Sequence, residues 1–383
     1  MQLLSPTKQR PSIAPGTIGN ARLNDNHVLV HIGQAEPVAL PKIWLRDNCV
    51  CSECRIELTG EHRYFVGRSE QLPDAVDAQT HDGTLTVSWS DGHQSSFTRD
   101  DLANLAHIAD RGHVQARLWA DDFVPEHFDR HEIFNDTATR IEFFNTAMRD
   151  GMVIVTNMGH ESGECIRFLD ELKLPVRDTP FDRLHDVFFR ADGYNVAHTD
   201  EALPPHNDFA SYTWPPSGQL IHMLVNEVKG GNWVNVDGFK ILAQLWKTDP
   251  QAVQVLSQVP VGFREHADYA ESWTRAPIVR VDGQGNVIGI RFSNQLMQPM
   301  SPFEPRVEEF YEAYHKLSRA IMDPANQIEF RGHGGTMQFL HSHRILHARR
   351  AFDSSTGDRH LQDTYLDFDD VASLAAFTSG EAR

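Results

Sequence analysis

The chain has 383 residues, 40% hydrophobic and 23% charged, an ordinary globular composition with room for one large domain and one small one. Its 35 Lys+Arg against 53 Asp+Glu give a net charge of −18, which repels phosphate backbones and argues against nucleic acid or an anionic membrane as partner. No apolar run approaches the roughly 18 residues of a membrane span and no cleavage signal opens the chain, so a cytoplasmic protein is expected.

Residues 1–26 read as a loose lead-in, and residues 27–115 as a small β module. His27–Ile32 and Thr84–Trp89 alternate apolar and polar side chains, Asp91-Gly92 is a hairpin turn, and no helix is expected before about residue 100. A polar connection near 110–125 separates this module from a second domain, 116–383. There, residues 139–150 carry apolar side chains at helical spacing and stop at Gly151. A buried strand (152–158) and a second helix (162–172) follow, then a strand at 219–225 and further helices at 242–246 and Val307–Met322. Residues 278–281 and 287–292 form a hairpin across Asp282-Gly283-Gln284-Gly285. Strands in the majority, with helices outside and Gly/Pro-rich loops, predict a mainly β domain, an antiparallel double-sheet roll.

Four cysteines are too few for a disulfide scaffold, and three of them form Cys49-Val50-Cys51-Ser52-Glu53-Cys54. Three thiolates this close converge on one ion without folding the chain far, and zinc favours a closed tetrahedron of sulfur and nitrogen. His93, just past the Asp91-Gly92 turn, is the preferred fourth ligand over His62 and His81. A closed set has no position for substrate, so the expected role is a structural staple.

A non-haem iron centre needs three protein ligands on one face, commonly His-x-Asp with a distant second His. Alternate strand residues point the same way, so His-x-Asp presents both ligands together. With 21 histidines the pattern alone is weak, and it occurs twice, as His198-Thr199-Asp200 and His206-Asn207-Asp208. The second is favoured because an aromatic loop follows it. For the distal ligand, His341, His343 and His347 share one strand parity. His347 stands out because Arg359 follows twelve residues later, where a guanidinium on the neighbouring strand would take the far carboxylate of 2-oxoglutarate. His222, His341 and His343 read as ordinary strand histidines.

From about residue 27 the chain resembles the γ-butyrobetaine hydroxylase family, which includes trimethyllysine hydroxylase. The resemblance runs through Trp44-Leu-Arg-Asp-Asn-Cys-Val-Cys-Ser-Glu-Cys, Ser90-Asp-Gly-His93, Tyr194-Asn-Val-Ala, His206-Asn-Asp208, Gly218-Gln-Leu-Ile-His, Gly230-Gly-Asn, Val236-Asp-Gly-Phe, Arg344-Ile-Leu-His347-Ala-Arg and Gly357-Asp-Arg359-His-Leu-Gln. It implies a zinc-bound N-terminal β domain, a double-stranded β-helix (jelly-roll) catalytic domain, a homodimer, and Fe(II) on His206, Asp208 and His347 with 2-oxoglutarate on Arg359. The implied reaction is O2-dependent hydroxylation of an aliphatic C–H, with succinate and CO2 as co-products.

Family substrates carry a trimethylammonium at one end and an acid at the other. The cage positions hold Phe181 and Tyr365, with Tyr194 or Trp214 as further contributors; Asn195 and Asn294 match family asparagines at the acid end. Four positions depart from the pattern. His185 replaces an aromatic residue and His198 a tyrosine, Asn207 stands for the usual threonine, and Phe209 for a residue that is tyrosine in some relatives. Two added imidazoles suit an anion of higher charge, so 2-(trimethylamino)ethylphosphonate stands beside γ-butyrobetaine as expected substrate. A trimethyllysine-type hydroxylase is one alternative, and a betaine-binding protein without turnover another.

Overall fold

The computed structural model describes residues 13–33, 36–108, 115–190, 196–267, 270–283 and 285–380. These fall in two compact units, one on either side of residues 113 and 114. Among the described residues no helix is long and apolar enough to cross a membrane.

The smaller unit holds two three-stranded antiparallel sheets. One is Ile18–Leu23, His27–Ile32 and Val38–Pro41; the other is Ala75–His81, Thr84–Trp89 and Gln94–Thr98. Val28, Val30 and Ile32 alternate inward to meet Leu85, Val87, Trp89 and Phe97 in one apolar core. The structure corrects two expectations here. Residues 18–23 belong to the first sheet rather than to a loose lead-in, because Asn24 turns the chain by accepting from the Asn26 and His27 amides at 3.1 and 2.7 Å. A short helix, Lys42–Asp47, breaks the expected run of strands and buries Leu45.

The larger unit mixes helix and sheet in similar shares rather than being mainly β. A six-stranded sheet runs in the order His127–Asp129, Met152–Thr156, Thr336–His341, Gly218–Asn226, Arg359–Leu366, His185–Phe188. A four-stranded sheet runs Leu203–His206, Ile345–Arg349, Trp233–Asp237, Gln327–Phe330. Met152, Ile154, Ile221, Met223 and Leu361 of the first sheet share one cluster with Trp233, Ile328 and Ile345 of the second, so the two sheets pack face to face. The intervening Val153, Val155 and Leu220 point the other way, onto helices Thr137–Asp150, Glu164–Leu172 and Phe368–Ser379. Helices Gly238–Thr248, Pro250–Gln258 and Val307–Met322 cover Val236 and Leu346 of the four-stranded sheet. Asp136 caps Thr137–Asp150 by accepting from Thr139 N at 2.8 Å, and Gly151 ends it at φ +77°. Gln284, in the expected hairpin turn, lies outside the described residues.

Candidate active site

Cys49, Cys51, Cys54 and His93 come together in the smaller unit. The His93 Nε2 atom lies 3.4, 3.7 and 3.6 Å from the three sulfurs in turn. Sulfurs about 2.3 Å and a nitrogen about 2.1 Å from one ion at tetrahedral angles stand roughly 3.6 Å apart, so the donor set fits zinc. The hairpin aims His93, whose carbonyl accepts from Trp89 N at 2.9 Å. Arg46, from the unforeseen helix, donates to Cys54 Sγ at 3.4 Å and to Asp91 Oδ2 at 2.9 Å, tying the helix to the turn that carries His93.

In the larger unit His206 and His347 are direct partners across two antiparallel strands, and Asp208 follows two residues beyond the first strand. His206 Nε2 lies 3.2 Å from Asp208 Oδ1, and His347 Nε2 lies 3.8 Å from Asp208 Oδ2. Neighbouring donors each about 2.1 Å from an octahedral ion stand about 3 Å apart, so this trio can hold a divalent metal on one face. His206 Nδ1 donates to the Pro204 carbonyl at 2.9 Å, which leaves the Nε2 lone pair for the ion. Burial and the neighbouring His206 push His347 down to about 4, keeping its ring neutral as a ligand must be. Burial would raise the Asp208 carboxyl, but the two imidazoles and the Tyr365 hydroxyl hold it well below the usual carboxylate range.

Two side chains that fix Asp208 come from adjacent positions on paired strands. Gln219 Nε2 and Tyr365 Oη donate to its Oδ2 at 2.7 and 2.8 Å. Between the ligands, Asn207 donates through Nδ2 to the Ser342 carbonyl and accepts from Phe292 N at 2.8 Å, clamping the turn to both neighbours. Phe209 then takes a left-handed φ of +52°, at a cost of about 1–3 kcal/mol, with its ring buried between Phe181 and Tyr365 at 5.8 and 4.8 Å.

A cavity of about 120 Å³ opens beside the trio. Arg359 lines it, buried, with Nε and Nη2 lacking any hydrogen-bond partner among the described residues. Burial and the nearby Arg349 and Arg331 push its guanidinium down to about 9, the state of a cation that lacks an anion. Gly231 makes room for it, since a Cβ there would stand 3.2 Å from Arg359 Nε. The remaining walls include Phe181, His185, Phe209, Glu265 and Asp363.

His185 and Asp363 face each other across paired strands, Nδ1 to Oδ1 at 3.3 Å. Burial would lower the His185 pKa, but Asp363 raises it. Its Nε2 is buried without a hydrogen-bond partner among the described residues. His198 is buried with its ring 6.0 Å from that of His185 and is not among the cavity-lining side chains. Its segment is held by Arg349, which donates to the carbonyls of Ala197, Thr199 and Glu201, while Asp200 accepts from Ser354 Oγ at 2.8 Å. The first His-x-Asp pair is not part of the ligand group formed by His206, Asp208 and His347. Asn294 is exposed and accepts from Tyr314 Oη at 3.2 Å, with its neighbours Ser293 and Gln295 on the cavity wall. Trp214 is exposed beside Arg280. Tyr194 and Asn195 lie outside the described residues. His341 stacks on Phe368 at 4.3 Å, His343 Nε2 contacts the Pro215 carbonyl at 3.1 Å, and His222 Nε2 contacts the Gly159 carbonyl at 3.2 Å, all ordinary structural contacts.

Sequence reasoning missed Gln219, Glu265 and Asp363. The parity of Gln219 with Ile221 marked it as inward-facing, but no motif surrounds the other two.

Two family models divide the chain between them. Residues 20–103 match the N-terminal region of γ-butyrobetaine hydroxylase-like proteins, and residues 115–365 match the taurine catabolism dioxygenase TauD, TfdA family. A γ-butyrobetaine dioxygenase of Pseudomonas sp. (strain AK-1) is 31% identical, over 86% of this chain and 88% of the relative. The human γ-butyrobetaine dioxygenase is 27% identical over 87% and 89%, and the bovine mitochondrial trimethyllysine dioxygenase 24% over 87% and 81%. The chain belongs to the γ-butyrobetaine dioxygenase branch of the TauD/TfdA family, and is a non-haem iron, 2-oxoglutarate-dependent dioxygenase.

Proposed function

We propose that the protein hydroxylates an aliphatic C–H of a small trimethylammonium acid, 2-(trimethylamino)ethylphosphonate or γ-butyrobetaine. The carrying observation is the cavity beside the trio, lined by the buried Arg359, whose Nε and Nη2 have no hydrogen-bond partner among the described residues, and by three aromatic rings, Phe181, Phe209 and Tyr365.

His206, Asp208 and His347 would hold Fe(II), and Gln219 and Tyr365 fix the Asp208 carboxylate by donating to its Oδ2. Arg359, buried in the cavity wall, would pair with the far carboxylate of 2-oxoglutarate. The bound iron, with 2-oxoglutarate and O2, supplies the oxidant that turns a C–H into C–OH. The protein positions one carbon and keeps water from the site. Phe181 and Tyr365 contribute ring surface to a cation that cannot donate a hydrogen bond. His185 stands beside Phe181, ring centroids 5.2 Å apart, with Asp363 facing it, and Asn195, His198 and Asn294 are the acid-end residues. Two imidazoles, His185 and His198, standing where relatives carry aromatic residues support the more highly charged phosphonate. In the smaller unit, the Cys49, Cys51, Cys54 and His93 set supports structural zinc.

A panel of trimethylammonium acids, assayed by succinate formation, tests this reading. One of the two named acids should raise succinate well above the substrate-free rate and yield a hydroxylated product. A panel in which none does so overturns it.

A further inference from the structure

One carboxylate in the cavity has no role in holding metal or 2-oxoglutarate. Glu265 lies on the strand Val261–His266, which pairs with Glu271–Ala276. Val261 and Phe263, at the same parity, are buried in the core, whereas Arg264 faces outward in an ion pair with Glu271 at 2.7 Å. Glu265 therefore carries a carboxylate on the inward face, where the two preceding inward positions are apolar. It lines the cavity with Phe181, Phe209 and Tyr365.

The carboxylate is anchored by a directed relay. Ser211 donates to Glu265 Oε2 at 3.0 Å, so the contact between Ser211 and Ser272 hydroxyls at 2.7 Å has Ser272 as donor. Ser272 thus holds Ser211, and Ser211 holds one carboxylate oxygen, fixing the side chain at the cavity wall. Glu265 makes no ion pair among the described residues. The basic groups of the cavity are committed elsewhere: His185 to Asp363, Arg349 to three carbonyls. Arg359 is kept for 2-oxoglutarate.

We propose that Glu265 is a specificity-determining residue, the counter-charge that makes this pocket choose a quaternary ammonium over a neutral group of the same shape. Aromatic faces attract a cation but also accept a tert-butyl group, because both bury similar apolar area. A fixed negative charge separates the two. The inference rests on the trimethylammonium reading above and names the residue that enforces it.

The test compares, in the iron-loaded enzyme, a trimethylammonium acid with its tert-butyl isostere, carbon replacing nitrogen. In Glu265→Gln the preference in kcat/KM for the charged substrate should fall about tenfold or more, through KM, with kcat changing much less. Glu265→Asp should recover part of it. An unchanged preference, or equal loss for both substrates, overturns the proposal and leaves Glu265 a packing residue. Calorimetry with tetramethylammonium gives a reading that needs no turnover: binding should weaken about tenfold in Glu265→Gln, and equal binding overturns the proposal. If the wild-type enzyme turns over no trimethylammonium acid, the functional reading fails, and tetramethylammonium binding still decides the role of Glu265.

Discussion

The two metal-ligand clusters of this chain solve opposite problems. In the Cys49, Cys51, Cys54 and His93 set, four donors close a tetrahedron and leave nothing to react. In the His206, Asp208 and His347 set, three donors occupy one face and the other opens onto a cavity. The first takes three ligands from six consecutive residues and the fourth from one hairpin 39 residues further on, so only one long-range contact has to form. The second depends on the register of two strands about 140 residues apart in sequence and on a turn that holds Phe209 at positive φ. Number of donors separates a staple from a reactive centre, and the surrounding walls decide what the reactive centre can do.

The comparison can be broken at either end. The largest effect is expected from His206→Ala, which removes one of only three ligands. Iron content should fall and succinate formation should drop by at least about a thousandfold, read by metal analysis and single-turnover assay. Retained iron with retained turnover would remove His206 from the centre.

Arg359→Ala should raise the KM for 2-oxoglutarate by about a hundredfold, because the partner it leaves is a buried carboxylate. An unchanged KM would refute the pairing. Cys49→Ser should lose zinc and lower the thermal midpoint by about 5 °C or more, while iron stoichiometry stays at wild-type level. An unaltered melting curve in a zinc-free variant would deny the staple. The smallest effect belongs to His198→Tyr, which stands behind His185 rather than on the wall. It should shift the phosphonate-to-carboxylate ratio in kcat/KM by less than about tenfold, toward the carboxylate. No shift would make His198 a packing residue.

Much of the scaffold was legible along the chain because it is local. Val307–Met322 is a helix with Phe310, Tyr314, Leu317 and Ile321 buried, as its spacing required. His27–Ile32 and Thr84–Trp89 are strands because their alternation lets one face be buried. The short helix Lys42–Asp47 was not legible, since six residues are too few to establish a period and its role is tertiary: it delivers Arg46 to Cys54 and Asp91. The three cysteines of the smaller unit, and the pair His206 and Asp208, could be read because each motif needs only a short spacing, and His93 because it follows a hairpin turn.

Sequence by itself thus determined the ligand types, the helix and strand periods, and, through family resemblance, the class of reaction. Only the tertiary structure decided which polar groups face the cavity. The first His-x-Asp pair is as good a motif as the second until the folded chain brings His206 and Asp208, and not His198 and Asp200, within ligand distance of His347. Asp363 meets His185, and Glu265 meets Ser211, across 178 and 54 residues of intervening sequence separation. A carboxylate with no motif around it has no signal in sequence. Its meaning comes from facing the cavity with no ion pair among the described residues, a position that exists only once distant strands have closed around it.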